Sequence, residues 1–146
     1  MIYREAKVED IKGIQAVRKL AHEYALLGAT RISDKKFAEY ITTNGKGWVC
    51  EVDGTIVGFS IVDLKGNSIW ALFVKPQFEK QGIGKQLYTL MMDWYFDQTK
   101  ESIWHTTSLT TKSEQSYTKL GWVNQGKNNV GETKFEMTYK NWIQNG

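Results

Sequence analysis

The sequence predicts a mixed α/β sheet, antiparallel at first and parallel in the middle, and three observations carry that expectation. An Asp53-Gly54 pair lies between two strand-like runs, WVCEV and TIVGFSIVDL, which is a strong two-residue hairpin signal. The run SIWALFV, a helical stripe starting at Gly82 and the run SIWHTTSLT then succeed one another; strand, helix, strand implies a right-handed crossover and a parallel pair. The tail returns to strand patterning in GWVNQG and ETKFEMTY, separated by the turn-rich KNNVG.

Taken in order, residues 2 to 7 predict a first strand, and Ile11, Ile14, Val17, Ala21 and Tyr24 recur at helical spacing from Val8 to about Tyr24. A second, shorter helix, DKKFAEYITT, begins at an N-cap Ser33 or Asp34 and ends near Asn44-Gly45. The loop between these helices, around LLGATRI, is a candidate wall for a substrate site. Alternation of Trp48, Cys50 and Val52 marks a buried sheet face. A turn at Lys65-Gly66-Asn67 leads into SIWALFV, apolar on both faces and therefore a central strand, and Pro76 ends its pairing. Ile83, Leu87, Leu90, Met91 and Trp94 form the stripe of the next helix, and a short helix is expected near residues 113 to 119.

A chain of 146 residues, 41% apolar and 13% aromatic, without repeats or linker-like tracts, is the size of one domain spanning residues 1–146. Its formal net charge of +3 suits a small anionic ligand better than nucleic acid, and no Lys/Arg stripe supports an RNA or DNA binding domain. MIYREAKVED carries charge where a secretory signal needs an apolar segment, and no apolar run nears the roughly 20 residues of a membrane span. A cytoplasmic protein with no membrane partner is the expectation. Cys50, the only cysteine, reads as a buried small hydrophobe, and two histidines and one cysteine at distant positions show no metal-ligand spacing.

The chemistry concentrates in LFVKPQFEKQGIGKQL, residues 72 to 87. Gly82 and Gly84 fall between a strand and a helix, so the N–H groups of residues 82 to 85 lack helical partners and converge at the positive end of the helix dipole. Lys80 and Lys85 flank this oxyanion cradle. A dinucleotide fingerprint fails because Leu87 stands where a third small residue belongs, and a P-loop fails because Gln86 and Glu79 replace its Ser/Thr and first glycine.

Residues 74 to 87, VKPQFEKQGIGKQL, resemble the acyl-CoA signature of the GCN5-related N-acetyltransferase (GNAT) superfamily, whose Gln/Arg-x-x-Gly-x-Gly/Ala loop wraps the pyrophosphate of coenzyme A. Glu79 departs from that pattern; a carboxylate cannot donate to phosphate, so it contributes through its backbone N–H if at all. Residues 110 to 122, TTKSEQSYTKLGW, resemble a second segment of the family, with Tyr117, Gly121 and Trp122 in register and Thr110, Ser113 and Ser116 replacing Asn, Ala and Phe. The order of elements also matches, so the resemblance covers essentially the whole chain.

The resemblance implies a sheet splayed between its fourth and fifth strands, flanked by about four helices, with the pantetheine of acetyl-CoA (coenzyme A) entering the gap. It implies cofactor contacts from Leu72, Phe73 and Val74 on strand four, from the loop Glu79, Lys80, Gln81, Gly82, Ile83, Gly84 and Lys85, and from Thr110 and Ser113. It implies direct acyl transfer through a tetrahedral intermediate, with backbone N–H groups of Leu72, Phe73 and Val74 at the oxyanion and Tyr117 as the general acid for the thiolate. A core tyrosine of the short helix is the alternative for Tyr117.

An attacking amine must be neutral, and Ser68, Trp70 and Leu72, read as one face of strand four, include no base. His22, Glu23, His105 and Glu136 are the candidates elsewhere, with His105, in the aromatic-flanked run IWHTT, read as a packed strand residue before a catalyst, and a chain of waters is a further route. The family pattern builds the acceptor pocket from His22, Glu23, Tyr24, Arg31, Trp122, Asn124 and Glu136, a mixed set that singles out no acceptor. A small primary amine is favoured, a homodimer through C-terminal edge strands is open, and a catalytically silent acyl-CoA binding module is the alternative function.

Overall fold

The structure, a computed structural model, describes residues 1–25, 32–107, 117–127 and 132–145. Strand β1 (Ile2–Glu5) leads through a 3-10 turn, Val8–Asp10, into α1 (Ile11–Ala25), where Ile11, Ile14 and Val17 are buried. Helix α2 (Asp34–Glu39) starts at Ser33, whose hydroxyl accepts the Lys36 N–H at 3.1 Å, and runs on as a π-helical turn, Tyr40–Asn44. Strands β2 (Gly45–Val52), β3 (Thr55–Asp63) and β4 (Ser68–Val74) form an antiparallel meander. Asp53 and Gly54 both have positive φ, 52° and 76°, as a type I′ hairpin requires.

Helix α3 (Ile83–Gln98) crosses to β5 (Ile103–Thr107), and β6 (Val123–Lys127) and β7 (Thr133–Met137) complete the sheet. Among the described residues the sheet has seven strands in the order β1-β2-β3-β4-β5-β7-β6, with β4–β5 as its parallel pair. Helix α4 (Tyr139–Asn145) has no counterpart in the sequence pattern, which carries the last strand through Tyr139. The signal is a cap: the Thr138 hydroxyl accepts the Asn141 N–H at 3.1 Å, and the Trp142 N–H donates to the Thr138 carbonyl at 3.0 Å. No helix among the described residues is long and apolar enough to cross a membrane.

Each face of the sheet carries its own core. Helices α3 and α4 cover one, with Trp48, Cys50, Leu87, Met91, Tyr95, Phe135 and Met137 buried and Tyr139 and Trp142 packed against them. Helices α1 and α2 cover the other, around Ile14, Val17, Phe37, Val49, Phe59 and Ile61. Cys50 is fully buried, and that burial pushes its thiol up, away from thiolate chemistry.

Two bulges tune this sandwich of layers. On β3, Cys50 opposes Gly58 and Glu51 opposes Ile56, so Val57 is the extra residue. On β4, Ile61 opposes Ala71 and Val62 opposes Ile69, so Trp70 is the extra residue. Trp70 and Ala71 consequently both face the α1–α2 layer, while Ile69 and Leu72 face α3. This corrects the placement of Trp70 and Leu72 on one face: strict alternation does not survive a bulge.

The β4–β5 pair is clasped at one end only. The Trp104 N–H donates to Asn67 O at 2.9 Å, its indole N–H to Gly66 O at 3.0 Å, and Asn67 Nδ2 donates to the Tyr95 hydroxyl at 2.7 Å. The β4–β5 ladder consists of Ser68 opposite Trp104, whereas the other edge of β5 pairs with β7 along its whole length, from Ile103 opposite Met137 to Thr107 opposite Thr133. Beyond that clasp β4 has no β5 partner in register among the described residues, so the two strands splay.

Arg4 ties β1 to both neighbours. Its guanidinium donates to the two Asp10 carboxylate oxygens at 2.8 Å each and to Glu51 on β2, while Asp10 also accepts the Lys7 N–H at 2.7 Å. Arg4 holds the Asp10 carboxyl below the usual carboxylate range against the opposing effect of burial. The unfolded chain therefore takes up a proton here before the folded one does, and this part of the stability is present above the ordinary Asp value and lost as pH falls through the folded one. Asp10→Asn is expected to cost about 2 kcal/mol at pH 7 and to flatten the acid limb of stability, read by urea unfolding between pH 7 and pH 3.

Candidate active site

The glycine loop begins where β4 stops pairing: the Lys75 N–H donates to Val57 O at 2.8 Å, and Pro76–Phe78 turn as a 3-10 segment. Lys80 and Gly82 both adopt left-handed backbone, with φ of 63° and 83°. For a lysine that conformation carries strain of about 1 kcal/mol or more, of the kind held at functional turns. The first intrahelical bond of α3 runs from the Gln86 N–H to Gly82 O at 3.0 Å, so the N–H groups of Ile83, Gly84 and Lys85 are first-turn donors without an intrahelical partner. Glu79, Lys80, Gln81, Gly82 and Lys85 are exposed, and Ile83 is buried under the turn. The Glu79 N–H donates to Pro76 O at 3.3 Å, so the loop itself already uses that donor.

Strand alternation decides which β4 donors reach the splay. Because the Lys75 N–H points to β3, the Phe73 N–H shares that side, and those of Leu72 and Val74 point to the edge facing β5. Of the three strand-four residues singled out in the sequence, two therefore present donors there and Phe73 does not. The Phe73 ring instead packs on Phe59 in the α1–α2 layer, 5.7 Å between centroids.

A groove of about 980 Å³ opens beside this edge. Leu72, Gly84 and Lys85 line it toward the glycine loop, Tyr88 and Tyr117 in the middle, and Trp142 and Ile143 of α4 toward its far side. Sequence reasoning misses Tyr88 and α4; Tyr88 lies beside the stripe position Leu87 and reads as ordinary helix core.

Residues 117–119 are helical and end in a Schellman motif: the Trp122 N–H donates to Tyr117 O and the Gly121 N–H to Thr118 O, each at 3.1 Å, with Gly121 at φ 100°. This gives the Tyr-x-x-x-Gly-aromatic spacing a physical reason. Only glycine takes the left-handed position without penalty, and the turn drives Trp122 into the core against Tyr117, 5.9 Å between ring centroids. Tyr117 also stacks on Phe135 at 5.2 Å and lies 5.6 Å from the His105 ring. Burial raises the Tyr117 phenol, keeping it protonated, and lowers His105 despite a hydrogen bond to the Ile69 backbone, keeping it neutral.

The remaining candidates separate. Glu136 opposes Trp104 and Val123, on the sheet face opposite the His105–Phe135 pair, and Trp122 is core on the α3 side rather than acceptor wall. Asn124 opposes Phe135 on the exposed edge strand β6. Thr110, Ser113, Ser116, Arg31 and the side chains of His22, Glu23 and Tyr24 lie outside the described residues.

Residues 14–122 match the model of the acetyltransferase (GNAT) family, and the chain belongs to that family. Its fold is similar to that of the PaiA N-acetyltransferase of Thermoplasma acidophilum in complex with coenzyme A, with a TM-score of 0.80, 16% identity, and coverage of 94% of this chain and 98% of that one. The ribosomal-protein-S18-alanine N-acetyltransferase of Escherichia coli is similar at a TM-score of 0.74 and 16% identity, over 94% of this chain and 93% of that one. N-acetylglutamate synthase of Neisseria gonorrhoeae, complexed with coenzyme A and N-acetyl-glutamate, is similar at a TM-score of 0.74 and 16% identity, over 94% of this chain and 35% of that one. Comparison with curated proteins gives no sequence match.

The two loop glycines tolerate a side chain differently. A Cβ at Gly82 meets nothing within 4 Å but needs a left-handed backbone, whereas one at Gly84 makes an ordinary 3.6 Å contact with Val74. Gly82→Ala is expected to lower stability by about 1–2 kcal/mol and Gly84→Ala to leave it unchanged or slightly raised, measured by urea unfolding without ligand.

Proposed function

We propose that this protein is an acetyl-CoA dependent N-acetyltransferase that acetylates a primary amine of a small molecule by direct attack. One observation carries the reading: Gly84 and Lys85 of the first turn of α3, Leu72 of the β4 edge and Tyr117 line a single groove. The residues fit coenzyme A, since the space at Gly82 is open and the first turn of a helix offers N–H donors to an anion. Ile83, Gly84 and Lys85 hold the pyrophosphate, with Lys80 and Lys85 supplying positive charge, and the β4 edge holds the pantetheine arm. When bound, acetyl-CoA supplies a thioester-activated acetyl group.

The N–H groups of Leu72 and Val74 stabilise negative charge developing on the acyl oxygen. Tyr117, kept protonated by burial, gives its proton to the departing sulfur. His105 stands beside Tyr117 and Glu136 on the other face, so each side of the splay carries a candidate base for the amine. Half-buried Tyr40, Trp70 and Phe73 form an aromatic surface on the α1–α2 side, with Tyr40 stacked on Trp70 at 4.1 Å, and this supports a small amine held by π faces.

Calorimetric titration with acetyl-CoA tests the cofactor: micromolar binding to wild type, abolished in Gly82→Glu, is the expected result, and no wild-type binding would sink the reading. With an amine panel, Tyr117→Phe is expected to lower kcat at least tenfold with cofactor affinity nearly intact. Because burial lifts Tyr117 above its ordinary value of 10, kcat is expected to show no alkaline loss from this residue below that pH. Full turnover in Tyr117→Phe would remove Tyr117 from the general-acid role.

A further inference from the structure

Tyr88 lines the same groove from α3, and no step of the transfer uses it. It is 9% exposed, and its hydroxyl accepts a hydrogen bond from Trp122 Nε1 at 2.7 Å. An indole nitrogen only donates, so the Tyr88 oxygen is the acceptor in that bond and its own O–H proton remains unassigned. That proton donates to no group among the described residues, and a buried donor without a partner is costly. Trp122 cannot drift to relieve this, because the Schellman turn fixes its backbone and its ring is 2% exposed.

Among the described residues, the groove is the remaining outlet. Leu72, Leu120, Trp142 and Ile143 give it an apolar wall, with Lys85, Thr89, Asp93 and Tyr117 as its other polar lining, so an oriented hydroxyl there serves to fix a ligand's polar atom. Burial also lifts this phenol to about 12, which suits a hydrogen-bond donor better than an acid. We infer that Tyr88 is a cofactor-binding residue whose O–H, oriented by Trp122, donates to an amide carbonyl of the pantetheine arm. The inference rests on the acyl-CoA reading above.

Tyr88→Phe keeps the ring and removes the donor. Calorimetry is expected to show pantetheine and acetyl-CoA binding weakened about fivefold or more, with adenosine 3′,5′-bisphosphate, which carries no pantetheine, bound as by wild type. In turnover the loss is expected in KM, not kcat. Unchanged pantetheine affinity, equal weakening of the bisphosphate, or a loss confined to kcat would each overturn the inference. Absence of wild-type binding to both acetyl-CoA and the bisphosphate would instead overturn the acyl-CoA reading on which it rests. A measurement on wild type covers the case of a misfolded variant: saturating pantetheine is expected to shift the Trp122 indole N–H resonance downfield, as the Tyr88 oxygen becomes a better acceptor when its proton is donated. No shift at saturation would overturn it.

Discussion

The departure of β4 from β5 is the constraint on which the site depends. A parallel pair in the middle of a sheet ordinarily continues its ladder, because every unpaired backbone group in a buried setting costs free energy. Here the pair is held at Ser68 and Trp104 by a set of bonds through Gly66, Asn67 and Tyr95, while β5 keeps β7 along the whole of its other edge. The extra residue at Trp70 bends β4 just past that clasp and re-aims the rest of the strand, sending Leu72 and Val74 toward α3 and Phe73 toward α1 and α2. The open edge is thus a product of pairing geometry, and the glycine loop continues directly from it.

Around the groove the protein uses aromatic packing to hold polar groups still. Tyr117 is gripped by Phe135, Trp122 and His105, and Trp122 links it to Tyr88 through the ring contact on one side and the indole hydrogen bond on the other. Helix α4 extends the same surface, with Trp142 against Tyr88 at 6.0 Å and against Phe96 at 6.1 Å. Rings have few torsions to freeze, so two phenols can be fixed at small entropic cost. On the opposite layer the aromatic packing is built from Tyr40 stacked on Trp70, with buried Phe37 against the Trp70 edge. The splay joins these two environments.

Much of this architecture is legible along the chain. Asp53-Gly54 announces its hairpin because few residues tolerate two successive positive φ angles, and Gly82 announces the loop for the same reason. The helix stripes of α1 and α3 are readable because burial against a sheet imposes a period of 3.6. The pattern fails where local spacing stops being the deciding factor. Alternation misplaces Trp70 because a bulge depends on the partner strand, and it cannot show that a turn puts Trp122 under α3 rather than in an acceptor wall. Helix α4 hides behind a strand pattern although Thr138 supplies its cap, since ETKFEMTY alternates well enough to mask a short helix after it.

The sequence by itself determined the order of the strands and of the helices among them, the glycine turn between strand and helix, and membership of a mixed-sheet class, because these depend on local torsional preference and on the periodicity of apolar residues. Only the tertiary structure decided which β4 donors face the gap, that Tyr88 and Tyr117 share one groove, and that His105 and Glu136 stand on opposite faces. Those outcomes depend on register, bulges and the meeting of segments far apart in the chain, and register is set by cross-strand packing that no single segment encodes.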